Sequence, residues 1–156
     1  MTNKTKLEVY FNKARNLIPS DLNGKSDPYC KVLVGGKKVG KSKKIKKNLD
    51  PVWNQRKTFK LKGSYDKLCL QQLSVVVMDW DMISSDDFIG EWPGILIREL
   101  PPNKEVQYIG KLTKVKTGAI NISFKLITSL EIQQKVEKAK KKKLKEIEKE
   151  KKIQFD

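Results

Sequence analysis

Short blocks of alternating apolar and polar residues recur along the first 127 residues of the chain. They cover residues 7–11, 29–34, 39–45, 59–61, 73–78, 88–92, 106–112 and 120–126. A period of two places successive side chains on opposite faces, which predicts half-buried β-strands. Turn-forming pairs separate the blocks, among them Asp27-Pro28, Gly35-Gly36, Asp50-Pro51 and Pro93-Gly94. We therefore predict an all-β fold, an eight-stranded antiparallel β-sandwich, in residues 1–128.

The rest of the chain, residues 129–156, has a different composition. It contains ten Lys, five Glu and one Asp, and it lacks the helix breakers Pro and Gly. This favours a lysine-rich C-terminal helix or a frayed tail, with plain disorder as the alternative. Its apolar residues are too irregularly spaced for a coiled-coil seam. Self-association or a protein partner stays open for this tail.

The charge of the chain narrows the choice of partners. Lys and Arg number 34 against 18 Asp and Glu, which gives a net charge of +16 and attracts polyanions such as nucleic acid or an anionic membrane. The longest apolar run is far shorter than the roughly 20 residues that span a bilayer, so membrane contact is expected to be peripheral. No RNA-binding signature occurs, and no aromatic residue interleaves with the lysine run at 37–47, which disfavours nucleic acid.

Missing residue types also exclude reaction classes. The chain has no His, which removes the usual general base, imidazole metal ligands and His-dependent catalytic triads. No pair of nucleophile and base is apparent, so we expect no enzyme activity. Cys30 and Cys69 show no close pairing, and no apolar leader begins the sequence. These features predict a cytoplasmic protein.

Five aspartates concentrate in two loops. Two belong to the segment SDLNGKSDPY and three to VVVMDWDMISSDDFIG: Asp21, Asp27, Asp79, Asp81 and Asp87. Asp79 and Asp81 are two residues apart at the end of a strand, so their side chains point to the same side of the chain. The turn that follows can bring Asp87 back beside them. Converging carboxylates repel one another, and their hard oxygen atoms suit calcium. The alternative is that these residues only form turns. An EF-hand is excluded because its central Gly and final Glu are missing.

Three segments together resemble a C2 domain over roughly residues 5–127: LEVYFNKARNLIPSDLNGKSDPYCKV, LDPVWNQRKTFKL and VVVMDWDMISSDDFIGEW. The resemblance implies an eight-stranded β-sandwich whose loops at one end bind two or three calcium ions and dock on phospholipid headgroups. The chain looks like the circularly permuted variant, in which the final strand fills the place of an extra N-terminal strand.

The resemblance also implies roles for individual residues. The calcium ligands would be the carboxylates of Asp21, Asp27, Asp79, Asp81 and Asp87 with the backbone carbonyl oxygens of Ser20 and Trp80. Ser84 is a further side-chain candidate, and we expect Asp86 to be a solvated neighbour that points away.

Membrane contacts are predicted beside these loops. Leu22, Met82 and Ile83 would insert among the lipids, unless they fold back onto the sandwich. Tyr29, Lys31, Lys41 and Lys43 match the basic strands with which domains like those of protein kinase C hold phosphoinositides, although Met78 replaces an aromatic residue of such sites. Strand alternation would place Lys44 on the face opposite Lys41 and Lys43.

The function that we predict is calcium-dependent binding to an anionic membrane surface containing phosphatidylserine or a phosphoinositide. Recruitment from the cytoplasm would follow a rise in calcium. Nucleic-acid binding and protein scaffolding are the alternatives.

Overall fold

The computed structural model describes residues 4–19 and 26–155, and within them the chain forms eight β-strands. The strands are β1 Lys6–Arg15, β2 Pro28–Val34, β3 Lys37–Lys41, β4 Val52–Lys60, β5 Gln72–Asp79, β6 Asp87–Leu96, β7 Glu105–Lys111 and β8 Ala119–Ile127. The helices are α1 Tyr65–Cys69, the 3-10 helix Ile97–Glu99 and α2 Leu130–Phe155. The predicted β-sandwich with a C-terminal helix is confirmed.

The strands form two antiparallel four-stranded sheets. Their orders are β4-β1-β8-β7 and β3-β2-β5-β6. The final strand β8 lies between β1 and β7, as the permuted arrangement predicts. Inward side chains of both sheets form one core, in which the rings of Trp92 and Phe124 stack with centroids 5.2 Å apart. Because alternate residues face this core, the outward residues remain available for a binding surface.

The two ends of the sandwich carry different features. The end of β1 and the start of β2 lie at the same end of the sandwich as the β5–β6 connection, and we call this the loop end. Strand β8 runs antiparallel to β1, and its last residue Ile127 pairs with Lys6 at the opposite end. Helix α2 therefore begins at the end remote from the loop end.

The third strand ends earlier than the sequence pattern predicts. It stops at Lys41, and the next residues follow β2 irregularly: the Ser42 N–H donates to the Cys30 carbonyl at 2.9 Å, and the Ile45 N–H to the Pro28 carbonyl at 3.1 Å. Between these two hydrogen bonds the segment advances by three residues while β2 advances by two, as in a β-bulge. A bulge breaks strict alternation of side chains, with consequences for the lysines that follow.

Helix α2 is attached by its first two turns. The Asn103 amide donates to Gln133 Oε1 at 3.0 Å, and the side chains of Ile132 and Val136 are half-buried. Residues 137–154 are exposed. Neither α1 nor α2 combines the length and the apolar character needed to cross a membrane. The division into units 1–128 and 129–156 stays a prediction.

Candidate functional site

Three of the predicted aspartates lie together at the loop end. Pro28 of β2 is the register partner of Asp79 of β5, which in turn pairs with Asp87 of β6. The Asp27 N–H donates to Asp79 Oδ1 at 2.6 Å, and the Trp80 N–H donates to the Asp27 carbonyl at 3.0 Å. The ends of three neighbouring strands therefore fix Asp27, Asp79 and Asp87 along one edge.

A buried tryptophan supports this edge from within. Trp53 is 1% exposed, and its Nε1–H donates to the Pro28 carbonyl at 3.1 Å. From the other side, the Lys47 N–H donates to Asp27 Oδ1 at 2.8 Å. The start of β2 is thus held on both sides of Asp27, so its carboxylate has little freedom to move.

The third loop is shaped by Asp81. Its Oδ1 accepts the N–H of Ile83 at 2.8 Å and that of Ser84 at 3.2 Å, and its Oδ2 accepts the Ser84 hydroxyl at 2.9 Å. These hydrogen bonds lower the pKa of Asp81, and the one from the Ile83 N–H has the largest effect. The loop carries Met82 and Ile83 outward, with 79% and 92% of each exposed, so they do not fold back onto the sandwich.

The predicted calcium site is only partly described. Ser20, Asp21 and Leu22 lie outside the described residues. Within residues 4–19 and 26–155, no three Cys, Asp or Glu side chains are grouped so as to hold a metal ion. Asp27 and Asp81 instead direct carboxylate oxygens at backbone N–H groups. The donor chemistry nevertheless fits calcium, because it consists of hard oxygen atoms at one edge.

A basic pocket opens beside the loop end, on the outer face of the β3-β2-β5-β6 sheet. We call it the lysine pocket; it measures about 260 Å³ and is lined by Tyr29, Lys41, Ser42, Lys43, Lys44 and Trp80. Lys31 pairs with Lys41 across β2 and β3, next to the pocket. The Lys41 ammonium group lies 5.7 Å from the centroid of the Tyr29 ring. The pocket thus concentrates positive charge beside aromatic surface.

Lys44 belongs to this pocket, contrary to the prediction from alternation. Its Nζ lies over the Trp80 ring, 2.9 Å from the centroid. The bulge after Lys41 is the reason, since it lets Lys43 and Lys44 reach the same side of the chain. The sequence shows Lys44 as one member of the lysine run at 37–47. The direction of its side chain follows only from the hydrogen bonds that residues 42 and 45 make with β2.

Asp86 accepts hydrogen bonds that the sequence did not predict. The expectation of a merely solvated residue is wrong: Asp86 is half-buried and accepts the Tyr29 hydroxyl at Oδ2 and the Asp81 N–H at Oδ1, at 2.5 and 2.9 Å. The Tyr29 hydroxyl, then the Asp81 N–H, lower the pKa of Asp86. Burial, followed by the hydrogen bond to Asp86, raises the pKa of Tyr29 to about 12, so this phenol stays a donor.

Comparison with known proteins agrees with this geometry. The family model of the C2 domain matches residues 5–96, and the chain belongs to this family. Tricalbin-1 of Saccharomyces cerevisiae is 39% identical over 106 residues, which cover 67% of this chain and 8% of tricalbin-1. The eye isozyme of protein kinase C from Drosophila melanogaster is 43% identical over 91 residues, 55% of this chain and 12% of that protein. The chain therefore spans only a small part of these relatives.

Solved structures share the fold. A C2 domain of plant extended synaptotagmin 1 superposes with a TM-score of 0.68 at 21% identity, covering 81% of this chain and 97% of that domain. The calcium-bound pair of C2 domains of extended synaptotagmin 2 gives a TM-score of 0.65 at 28% identity, covering 81% of this chain and 46% of that one. The likeness includes strands beyond residue 96, where the family model stops.

Proposed function

We propose that the chain binds anionic phospholipid membranes through its loop end and that calcium controls this binding. The observation that carries the proposal is the set of Asp27, Asp79 and Asp87 on one edge, directly beside the exposed side chains of Met82 and Ile83. Membership of the C2 family and the likeness to calcium-bound extended synaptotagmin 2 support it.

The proposed ligands are five carboxylates and two backbone carbonyl oxygens, those of Asp21, Asp27, Asp79, Asp81 and Asp87 and those of Ser20 and Trp80. Together they would hold two or three calcium ions. Without calcium, the carboxylates repel an anionic surface. Bound calcium would cancel most of that charge, and its open coordination positions suit oxygens of phosphatidylserine or a phosphoinositide. In the described part of the site, Asp81 would have to exchange its hydrogen bonds to Ile83 and Ser84 for the ion.

Two further contacts would strengthen docking. Insertion of Leu22, Met82 and Ile83 would contribute up to about 1.5–3 kcal/mol for each side chain that becomes fully buried. The lysine pocket, with Lys31 beside it, would contribute roughly 1 kcal/mol per Lys near the surface, and salt screens this part. Calcium would thus act as the switch, while the lysines would set the dependence on salt and on the headgroup. We expect recruitment from the cytoplasm when calcium rises.

Sedimentation with phosphatidylserine vesicles tests the calcium switch. Wild-type protein should sediment with the vesicles in calcium and stay in solution in a chelator, whereas Asp79→Asn/Asp81→Asn should stay in solution in both. Asp66→Asn/Glu131→Gln is the matched control, because it removes the same charge at the end of the sandwich where α1 and the first turn of α2 lie, opposite the loop end, and it should behave as the wild type. Binding of the Asp79→Asn/Asp81→Asn variant equal to that of the wild type, with or without calcium, would reject the switch.

A further inference from the structure

The lysine pocket has a carboxylate at its edge. Tyr29 lines the pocket, and its hydroxyl donates to Asp86 Oδ2 at 2.5 Å. The second oxygen of Asp86 accepts the Asp81 N–H at 2.9 Å. Both carboxylate oxygens are therefore engaged, and the side chain has a defined position between the pocket and the third loop.

This carboxylate lies near the pocket's own cation, because the ring of its hydrogen-bond donor Tyr29 is 5.7 Å from the Lys41 ammonium group. Tyr29 is 8% exposed, and its hydroxyl donates to Asp86. In this conformation Asp86 accepts the hydrogen bond of the Tyr29 hydroxyl, and its carboxylate offsets part of the positive charge of the lysine pocket.

Asp86 therefore acts on an incoming anion in two ways. A phosphate group that enters the pocket finds the Tyr29 hydroxyl already occupied, and it meets a fixed negative charge nearby. Repulsion between like charges at short range grows with the charge of the ligand. A headgroup with several phosphates is thus penalised more than one with a single phosphate.

We propose that Asp86 is a specificity-determining residue of the lysine pocket, which holds the Tyr29 hydroxyl and selects against multiply phosphorylated inositol headgroups. This inference rests on the proposed function of the pocket as a headgroup site. It adds to that function the carboxylate, Asp86, that disfavours highly charged ligands. The penalty that Asp86 imposes is smaller for phosphatidylserine and other headgroups with one phosphate.

Calorimetry with soluble inositol phosphates in a chelator tests the inference without calcium or membrane. Asp86→Asn removes the charge but keeps an oxygen that can accept one of the two hydrogen bonds. We expect about a tenfold gain in affinity for inositol trisphosphate, and a smaller gain for inositol monophosphate. Asp66→Asn, which makes the same change in net charge at the other end of the sandwich, should change either affinity less than about twofold.

Two more variants separate the charge from the hydrogen bonds. Asp86→Ser also removes the carboxylate and must reproduce the gain. Tyr29→Phe removes the donor but leaves the carboxylate, and it should give no gain. Thermal melts of each variant check the fold. Equal effects of Asp86→Asn and Asp66→Asn, a gain in Tyr29→Phe as large as that in Asp86→Asn, or no inositol phosphate binding by wild type and Asp86→Asn alike, would overturn the inference.

Vesicles distinguish a lipid headgroup from a free inositol phosphate. With phosphatidylinositol bisphosphate vesicles in a chelator, Asp86→Asn should bind more tightly than the wild type by a similar factor. A gain with the soluble ligand that is absent on vesicles would overturn the role in lipid selection. The calcium switch is read separately, from phosphatidylserine sedimentation. Its failure would reject the proposed function and leave the calorimetric result interpretable.

Discussion

The sandwich and helix α2 are stabilised in different ways. The sandwich buries both inward faces of its sheets, with Phe11, Trp53 and Phe124 almost inaccessible to solvent. Helix α2 is the longest element, at 26 residues, yet Leu144 and Ile153 are 60% and 77% exposed. Tertiary packing therefore determines the sandwich, whereas composition and local hydrogen bonds determine most of the helix. The difference predicts where substitutions affect stability and where they do not.

Removal of one apolar side chain from each region gives the largest expected contrast. Phe124 is fully buried between the sheets and stacks on Trp92, so Phe124→Ala should lower the free energy of unfolding by about 3–5 kcal/mol. Leu144→Ala, on the exposed part of α2, should change it by less than about 0.5 kcal/mol. Urea unfolding followed by tryptophan fluorescence measures both. Similar losses in the two variants would contradict the contrast.

Backbone constraint within the sandwich gives the next effect. Gly94 has a φ of +84°, and a Cβ there would lie 1.6 Å from the Leu73 carbonyl oxygen, where the register of β5 and β6 shifts. Gly94→Ala should cost about 2–3 kcal/mol. Gly36 has a similar φ of +77° but open space around it, so Gly36→Ala should cost only about 1 kcal/mol. Equal shifts in the urea midpoint would show that the close contact relaxes at no cost.

The accuracy of the sequence-based prediction follows the same division. Strands β1, β5 and β8 face the core on alternate residues, and local periodicity was enough to find them. The end of β3 was misplaced because its bulge depends on pairing with β2. Helix α1 was missed, since its five residues, which begin after the N-cap Ser64, are too few to show a helical period.

The candidate site divides in a similar manner. The position of Asp79 at the end of a buried strand predicted its place at the loop end, because the strand itself is evident from the sequence. The role of Asp86 was not predictable, since it depends on the hydroxyl of Tyr29, which lies 57 residues earlier in the chain. Residue type and strand phase thus identify a ligand candidate, whereas contacts between distant loops need the folded structure.

The bulge after β3 offers a smaller test within the sandwich. Ser42 is buried; its Oγ accepts the Cys30 N–H and donates to the Lys43 carbonyl, both at 2.8 Å. Ser42→Ala leaves these groups without a side-chain partner and should cost about 1–2 kcal/mol. The exposed Ser85→Ala is the control and should stay within about 0.5 kcal/mol of the wild type. If both variants unfold like the wild type, Ser42 does not stabilise the bulge.

Shortening of α2 should have the smallest effect on the sandwich. Residues 140–154 are exposed, so a chain that ends at Ala139 should lose less than about 0.5 kcal/mol of unfolding free energy while its helical circular dichroism falls. A chain that ends at Ser129 also loses the contact between Gln133 and Asn103 and the partial burial of Ile132, which should cost about 1 kcal/mol. A large loss in the first truncation would mean that the outer part of α2 does stabilise the sandwich. A negligible loss in both would mean that the helix is attached more weakly than its first two turns indicate.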